Sequence, residues 1–493
     1  MSLPQSTTQP SLLPVGKAER AAASEASPAE IDVSCRPVLL LLLGGAIWLV
    51  GGAFLGLIAS LKFHSPNLLA DCPWLTYGRV HPAATNALVY GAAMQAGLAV
   101  LLWLICQLGR TKLAAPALVI AGCMVWNLGT AAGLLGILAG DSTGFEWLEI
   151  PRYGAALLFF GYLAVALAAM LSFHQRSERQ LSVVHWFLLS ALFWFPWIYS
   201  TAELLLVVWP VRGTLQSVIA WWYANNLTTI WFGFVGLGAG FYFVPKLTNK
   251  PLYSHYLALF AFWMLAIFGS WVGIPVGAPV PSWLPALSSF AGVLTIIPIL
   301  AVALNVQKTS CGQVPPQTGA ALPFVLFGMM AYVVAGLMGC AASIAKVSEV
   351  TNFTWFIPAQ AQLTVYGFFV MVMFGATYYI VPRLTQTELS IGFEKWHFRL
   401  AALGVLFYVV PLAIGGIRQG FALNNSNVAF LDVVKGTLMF LRISTTGDLL
   451  LLAGSLLLLL NLLGMLGRVG RACYTTAMAA NRNANTKAAE VPA

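Results

Sequence analysis

The run Trp221-Trp-Tyr-Ala-Asn-Asn-Leu-Thr-Thr-Ile-Trp-Phe-Gly-Phe-Val-Gly-Leu-Gly-Ala-Gly-Phe-Tyr-Phe-Val-Pro-Lys246 carries no charged side chain before its last residue. About 20 predominantly apolar residues suffice to cross a bilayer as a helix. The run belongs to one of about twelve stretches of spanning length: 37–62, 83–108, 113–139, 153–173, 184–208, 214–244, 254–277, 284–306, 321–345, 355–381, 398–417 and 436–467. Internal Gly and Pro do not disqualify them, because neighbouring helices re-satisfy the backbone. The whole chain agrees: its 493 residues are 59% hydrophobic and 8% charged, against about 25% charged in a soluble domain. Mean hydropathy is +0.82. A single soluble core, a disordered chain and a fibrous protein are excluded. The fold class is an all-α polytopic membrane protein of about twelve transmembrane helices.

The net charge of +9 does not mark a nucleic-acid binder, because the basic residues sit in short loops and at helix ends. Arg110, Lys112, Arg176, Arg179, Lys246, Lys250, Lys308, Arg383, Lys395, Arg399, Arg468 and Arg471 fall on the side shared by both termini. The opposite side has Lys62, Arg79, Arg152, Arg212, Lys346, Arg418 and Lys435. The positive-inside rule places both termini in the cytoplasm. Residues 1–36, rich in Ala, Ser, Pro and Glu, read as a disordered cytoplasmic tail. Residues 37–468 form the membrane domain, and 469–493 a second cytoplasmic tail. The seven cysteines form no CxxC or CxxCH pattern, so neither a zinc knuckle nor covalently attached haem is expected.

Ionisable residues within spans are functional candidates by default. Glu203 lies near the non-cytoplasmic end of the fifth span, and Arg442 and Asp448 in the twelfth. Six residues apart, Arg442 and Asp448 face different directions on a helix. Snorkelling or an interhelical ion pair is the plain alternative to a proton or ion path. Among six histidines (His64, His81, His174, His185, His255 and His397), none sits in mid-span. A buried haem or copper centre draws on imidazole nitrogen, so this bundle has no ordinary means of holding one.

Several runs resemble the large subunit (subunit I) of C-type (cbb-type) haem-copper oxidases and, more distantly, of nitric oxide reductases. Tyr77-Gly-Arg-Val-His-Pro-Ala-Ala-Thr-Asn-Ala87 is similar to the loop into the family's second helix. Trp221-Trp-Tyr-Ala-Asn-Asn226 is similar to the family's Trp-Trp-Tyr-Gly-His-Asn. Phe241-Tyr-Phe-Val-Pro-Lys246, with Pro251-Leu-Tyr-Ser254 and Phe262-Trp263, matches the segment that follows. Gly375-Ala-Thr-Tyr-Tyr-Ile-Val-Pro-Arg-Leu384 is close to Gly-Ala-Leu-Tyr-Tyr-Leu-Val-Pro-Arg-Leu. The resemblance implies a twelve-helix bundle in a bacterial cytoplasmic (inner) membrane, but its chemistry does not carry over. The low-spin haem ligand positions read Ala84 and Gln362, and the proximal high-spin position Gln360. The copper positions read Asn225 and, in the loop 273–278, Pro275 and Val276; the cross-linked tyrosine falls near Gly269.

The reading that follows is a catalytically silent relative, with no catalytic residue, metal or cofactor. It would be a structural or assembly subunit of a respiratory or redox complex, partnered by the lipid bilayer and by other membrane or periplasmic subunits. Two other readings stay open. An active oxidase or nitric oxide reductase with unusual ligation would hold haem b, with His81, three residues before Ala84, as a rewired ligand. Alternatively, the vacated haem cavity would bind a quinone, lipid or other apolar ligand. Asn225, Asn226, Gln360 and Gln362 are expected to converge in mid-bundle as a network tying the sixth helix to the tenth.

Overall fold

A computed structural model describes residues 35–312 and 319–489; most of the N-terminal tail read at 1–36 lies outside them. The described chain is helical, and its main helices are α1 (Arg36–Leu61), α2 (Tyr77–Gly109), α3 (Pro116–Ala139), α4 (Arg152–His174), α5 (Val183–Val208), α6 (Leu215–Thr248), α7 (His255–Gly269), α8 (Trp283–Ser310), α9 (Ala321–Ala342), α10 (Phe356–Thr385), α11 (Ile391–Leu423) and α12 (Phe430–Ala489). Among the described residues, eleven are long and apolar enough to cross a membrane. The exception is α7. Its apolar character continues toward 277, but Gly273 and Gly277 adopt positive φ (113° and 83°), and Pro275, Pro279 and Pro281 follow. Hydropathy therefore overruns the helix by eight residues. α12 differs in the other direction, because its backbone stays helical to Ala489, past the end of the apolar run at 436–467.

Three helices form the centre. The apolar windows of α2, α6 and α10 are 89%, 83% and 94% buried, whereas the other spans are 39–44% buried. Outer helices turn large apolar side chains outward, such as Phe160, Leu167 and Phe193, as a lipid-solvated surface requires. Aromatic side chains fill the middle, where Trp231 Nε1 donates to Tyr162 Oη (3.1 Å) and Trp126 Nε1 to the Tyr90 carbonyl (2.8 Å). Neighbouring helices approach closely at glycines, the expected route where lipid competes for apolar contact. A Cβ at Gly122 or Gly161 would sit 2.9 Å from backbone of the facing helix, fixing α3 against α4. Gly404 and Gly447 do the same for α11 and α12.

Candidate functional site

Two cavities open between the central helices, both toward the face that carries the loops 62–76, 140–151 and 270–282. The first, about 90 Å³, lies among α1, α2, α10, α11 and α12 and is lined by Ala84, Gln362, His81 and Asp448. The second, about 260 Å³, lies among α6, α9, α10 and the loop after α7, and is lined by Asn225, Gln360, Pro275 and Val276. The six positions that the resemblance aligns with metal ligands thus sort into two groups: Ala84 with Gln362, and the other four together. In the central helices a wide, π-type turn follows close behind these residues. The turns span Ala87–Ala93 in α2, Asn226–Trp231 in α6 and Leu363–Val370 in α10. Such turns are rare and concentrate where helices carry functional side chains.

The amides do not form one network. Asn225 Nδ2 donates to the Gly269 carbonyl (2.8 Å), and its Oδ1 accepts from Thr229 Oγ1 (3.0 Å). Asn226 points elsewhere: its Nδ2 donates to the carbonyls of Trp222 (2.9 Å) and Ser270 (3.1 Å), and its Oδ1 accepts from Trp194 Nε1 (3.0 Å). Gln360 Nε2 reaches the Ala335 carbonyl at 3.3 Å, while Gln362 lines the other cavity. These bonds tie α6 to α5 and α7, and α10 to α9, in place of the expected link between α6 and α10. The reason is helical phase: residues one or two apart point about 100° or 200° away from each other.

His81 stacks on Tyr77, ring centroids 5.3 Å apart. Arg442 and Asp448 stay apart, as their spacing requires. Arg442 Nε donates to the Phe63 carbonyl (2.9 Å) at the exposed rim, whereas Asp448 faces the first cavity. Glu203 begins the wide turn that ends α5, and its Oε1 is buried without a hydrogen-bond partner. No ion pair reaches it: among the described residues the ion pair within 4.0 Å is Lys346–Glu349.

Sequence reading missed a second group of polar residues beside this site. The loop between α3 and α4 folds inward, so that Glu149 is buried and accepts from Asn86 Nδ2 (2.8 Å). Burial pushes the Glu149 carboxyl up to about 7, against the pull of that hydrogen bond. Burial also raises Glu146, which reaches the second cavity. Nearby, Tyr90 Oη donates to the Trp147 carbonyl (2.5 Å) and lies 2.6 Å from Tyr223 Oη. The available signal was Glu146-Trp-Leu-Glu149, an acid pair in a chain with only 16 acids.

A haem or copper centre, as the resemblance implies, does not fit these residues. Ala84, Pro275 and Val276 have no side-chain donor atom, and the amides of Asn225 and Gln360 are engaged with backbone carbonyls. No group of three or more His, Cys, Asp or Glu suited to a metal occurs among the described residues. The first cavity, about 90 Å³, is smaller than the roughly 150 Å³ engineered cavity that takes up a single benzene ring. A porphyrin cannot enter it without wide repacking.

The family model described as cytochrome c and quinol oxidase polypeptide I matches residues 36–450. A cytochrome c oxidase subunit 1 homolog of Azorhizobium caulinodans is 24% identical over 467 residues, covering 89% of this chain and 84% of that protein. The Cbb3-type cytochrome c oxidase subunit CcoN1 of Stutzerimonas stutzeri is 24% identical over 433 residues, covering 84% of this chain and 91% of its own. A solved heme-copper terminal oxidase dimer shares the fold, with a TM-score of 0.65 at 13% identity, covering 87% of this chain and 84% of that one. Helix order, buried centre and sequence match converge, and the chain belongs to the cytochrome c and quinol oxidase polypeptide I family.

Proposed function

We propose that the chain is a catalytically silent subunit I, retained as a structural or assembly partner of a bacterial respiratory or redox complex in the cytoplasmic membrane, with both termini in the cytoplasm. The observation that carries the proposal is the donor chemistry of the two cavities. Every position where the family resemblance expects an imidazole presents a methyl, a pyrrolidine ring, an isopropyl or an amide. An amide is a poor ligand for ferrous haem or cuprous copper. The scaffold persists, with its buried central helices and wide lipid-facing surface, and such a bundle can still dock neighbouring subunits. Haemochrome and copper analysis of the purified protein should give far less than one haem b and one copper per chain. Stoichiometric haem b with a Soret band sensitive to carbon monoxide would overturn the proposal in favour of an active reductase with unusual ligation.

A second reading has support from the second cavity, which at about 260 Å³ has room for a small molecule. Its lining is rich in hydroxyl and amide groups, among them Thr228, Ser288, Ser343 and Asn352. That lining favours a small polar occupant over the quinone or lipid expected of a vacated haem cavity. Native mass spectrometry of the purified protein tests it, and a bound quinone or phospholipid at one per chain would restore the apolar alternative.

A further inference from the structure

We infer that the first cavity is a binding site for a small organic cation of the primary ammonium class, held by the carboxylate of Asp448. The inference rests on the silent reading, since a haem would fill the same space. Asp448 lies deep among α1, α2, α11 and α12, and its remaining accessible surface faces the cavity. The lining contains no Lys or Arg. Arg442, on the same helix, is drawn away to the Phe63 carbonyl, and among the described residues no ion pair includes Asp448. A carboxylate at this depth without a counter-charge is expensive, and the cavity offers the place where one would sit.

The walls narrow the choice of cation. Phe63 lies 5.4 Å from Tyr77 and 5.9 Å from Trp355 between ring centroids, the latter pair edge to face. Tyr77 in turn stacks on His81. An alkylammonium ion inside this enclosure would meet aromatic side chains as well as the carboxylate, and a cation near such rings is attracted by their quadrupole. Ser60, Tyr408 and Gln362 also line it and supply acceptor oxygens for N–H donors. A divalent metal is disfavoured, because Ca²⁺ takes about six to eight oxygen ligands and the only carboxylate here is that of Asp448. The volume of about 90 Å³ suits methylammonium and excludes bulky quaternary amines.

The test uses the purified full-length protein in detergent near neutral pH. Thermal unfolding is followed by tryptophan fluorescence during titration with methylammonium chloride, at ionic strength matched with sodium chloride. The expected result is a saturable rise in Tm with methylammonium, absent with potassium or tetramethylammonium. D448N should weaken the apparent affinity at least tenfold. Gly56→Leu provides a variant that keeps the carboxylate. A Cβ at Gly56 stands in ordinary contact, 3.8 Å from Asp448 Oδ1 and 3.9 Å from Ala84 Cβ, so the added side chain extends into the cavity and should abolish the shift. An equal shift with potassium, no shift with methylammonium, or a shift that survives in both variants would overturn the inference. Haemochrome analysis of the same preparation separates this failure from that of the silent reading: bound haem refutes both, and a haem-free protein without a shift refutes only the cation site.

Discussion

Glu149 permits a quantitative prediction, because it lies in a loop outside the spans and its environment is fully described. Its carboxyl moves from 4.5 to about 7 through burial. A difference of about 2.5 units, at about 1.4 kcal/mol per unit, amounts to roughly 3 kcal/mol. The sign follows from proton counting. Between pH 4.5 and 7 the folded protein holds a proton here that the unfolded chain has released, so stability falls as pH rises through this window and levels off above it. Glu149→Gln removes the titration while keeping an acceptor for Asn86 Nδ2. The variant should match the wild type at about pH 4 and exceed it by roughly 3 kcal/mol at about pH 8. A residual slope of the same sign should remain from Glu146, whose carboxyl is also raised by burial. The assay is unfolding in mixed micelles of rising SDS content, followed by tryptophan fluorescence across this pH range. Parallel pH profiles for wild type and variant would refute the reasoning.

Tyr90 gives its single proton to the Trp147 carbonyl, so Tyr223 must be the donor to Tyr90; Tyr90→Phe, which strands two partners, should therefore cost about 2–3 kcal/mol against about 1 for Tyr223→Phe in the same SDS assay. Placing histidines at both Ala84 and Gln362 should not yield a bis-histidine haem spectrum, because the cavity between them is too small; a stoichiometric low-spin haem b spectrum would show that the space is intact. Gly420→Ala would press a Cβ into the Val350 carbonyl, which as backbone cannot swing aside, and should destabilise by at least about 2 kcal/mol. Gly51→Ala, with open space around it, should be neutral or stabilising by up to about 1 kcal/mol, and equal effects of the two would refute the packing argument.

Much of the fold was legible because lipid solvation leaves a direct trace in hydropathy. What hydropathy could not show was where an apolar run stops being a helix. At 270–277 the stop comes from Gly273 and Gly277 at positive φ and from Pro275, none of which lowers the apolar content enough to register. The six aligned residues that line the two cavities were singled out in the sequence through matching residues on either side of them. The polar organisation of the site was not legible. Asn225 and Asn226 look like one feature in the sequence, yet a rotation of about 100° per residue sends them to different neighbours. Gln360 and Gln362 are split between cavities for the same reason. Glu149 escaped notice because the acid pair Glu146 and Glu149 marks the loop but does not tell whether it folds inward or stays in water. Asp448 was noticed for its depth, but its place across the cavity from Ala84 needed the packing of α12 on α1.

On the silent reading, the wide turns account for a bundle that keeps its shape without its chemistry. A wide turn adds a residue to one helical turn and so rotates everything beyond it by about 100° relative to an unbroken helix. In α6 and α10 the side chains within and just beyond the turns are locked into the centre. Phe369 meets Phe232 at 4.5 Å and Trp231 at 5.9 Å between ring centroids. Both Phe369 and Trp231 press on Gly97 of α2, where a Cβ would lie 2.8 and 3.0 Å from their ring atoms. Phe368 closes on Gly236 in the same way. Removing any one turn would swing these rings out of register and open the core, with the large penalties that cavities and overpacking carry. Asn225 and Gln360 each reach another helix through one bond to a backbone carbonyl, and Ala84 and Gln362 line a cavity, so these four positions are less tightly held by packing than the rings. On the silent reading, substitution at these positions would remove metal ligation while the packed rings keep the helices in register.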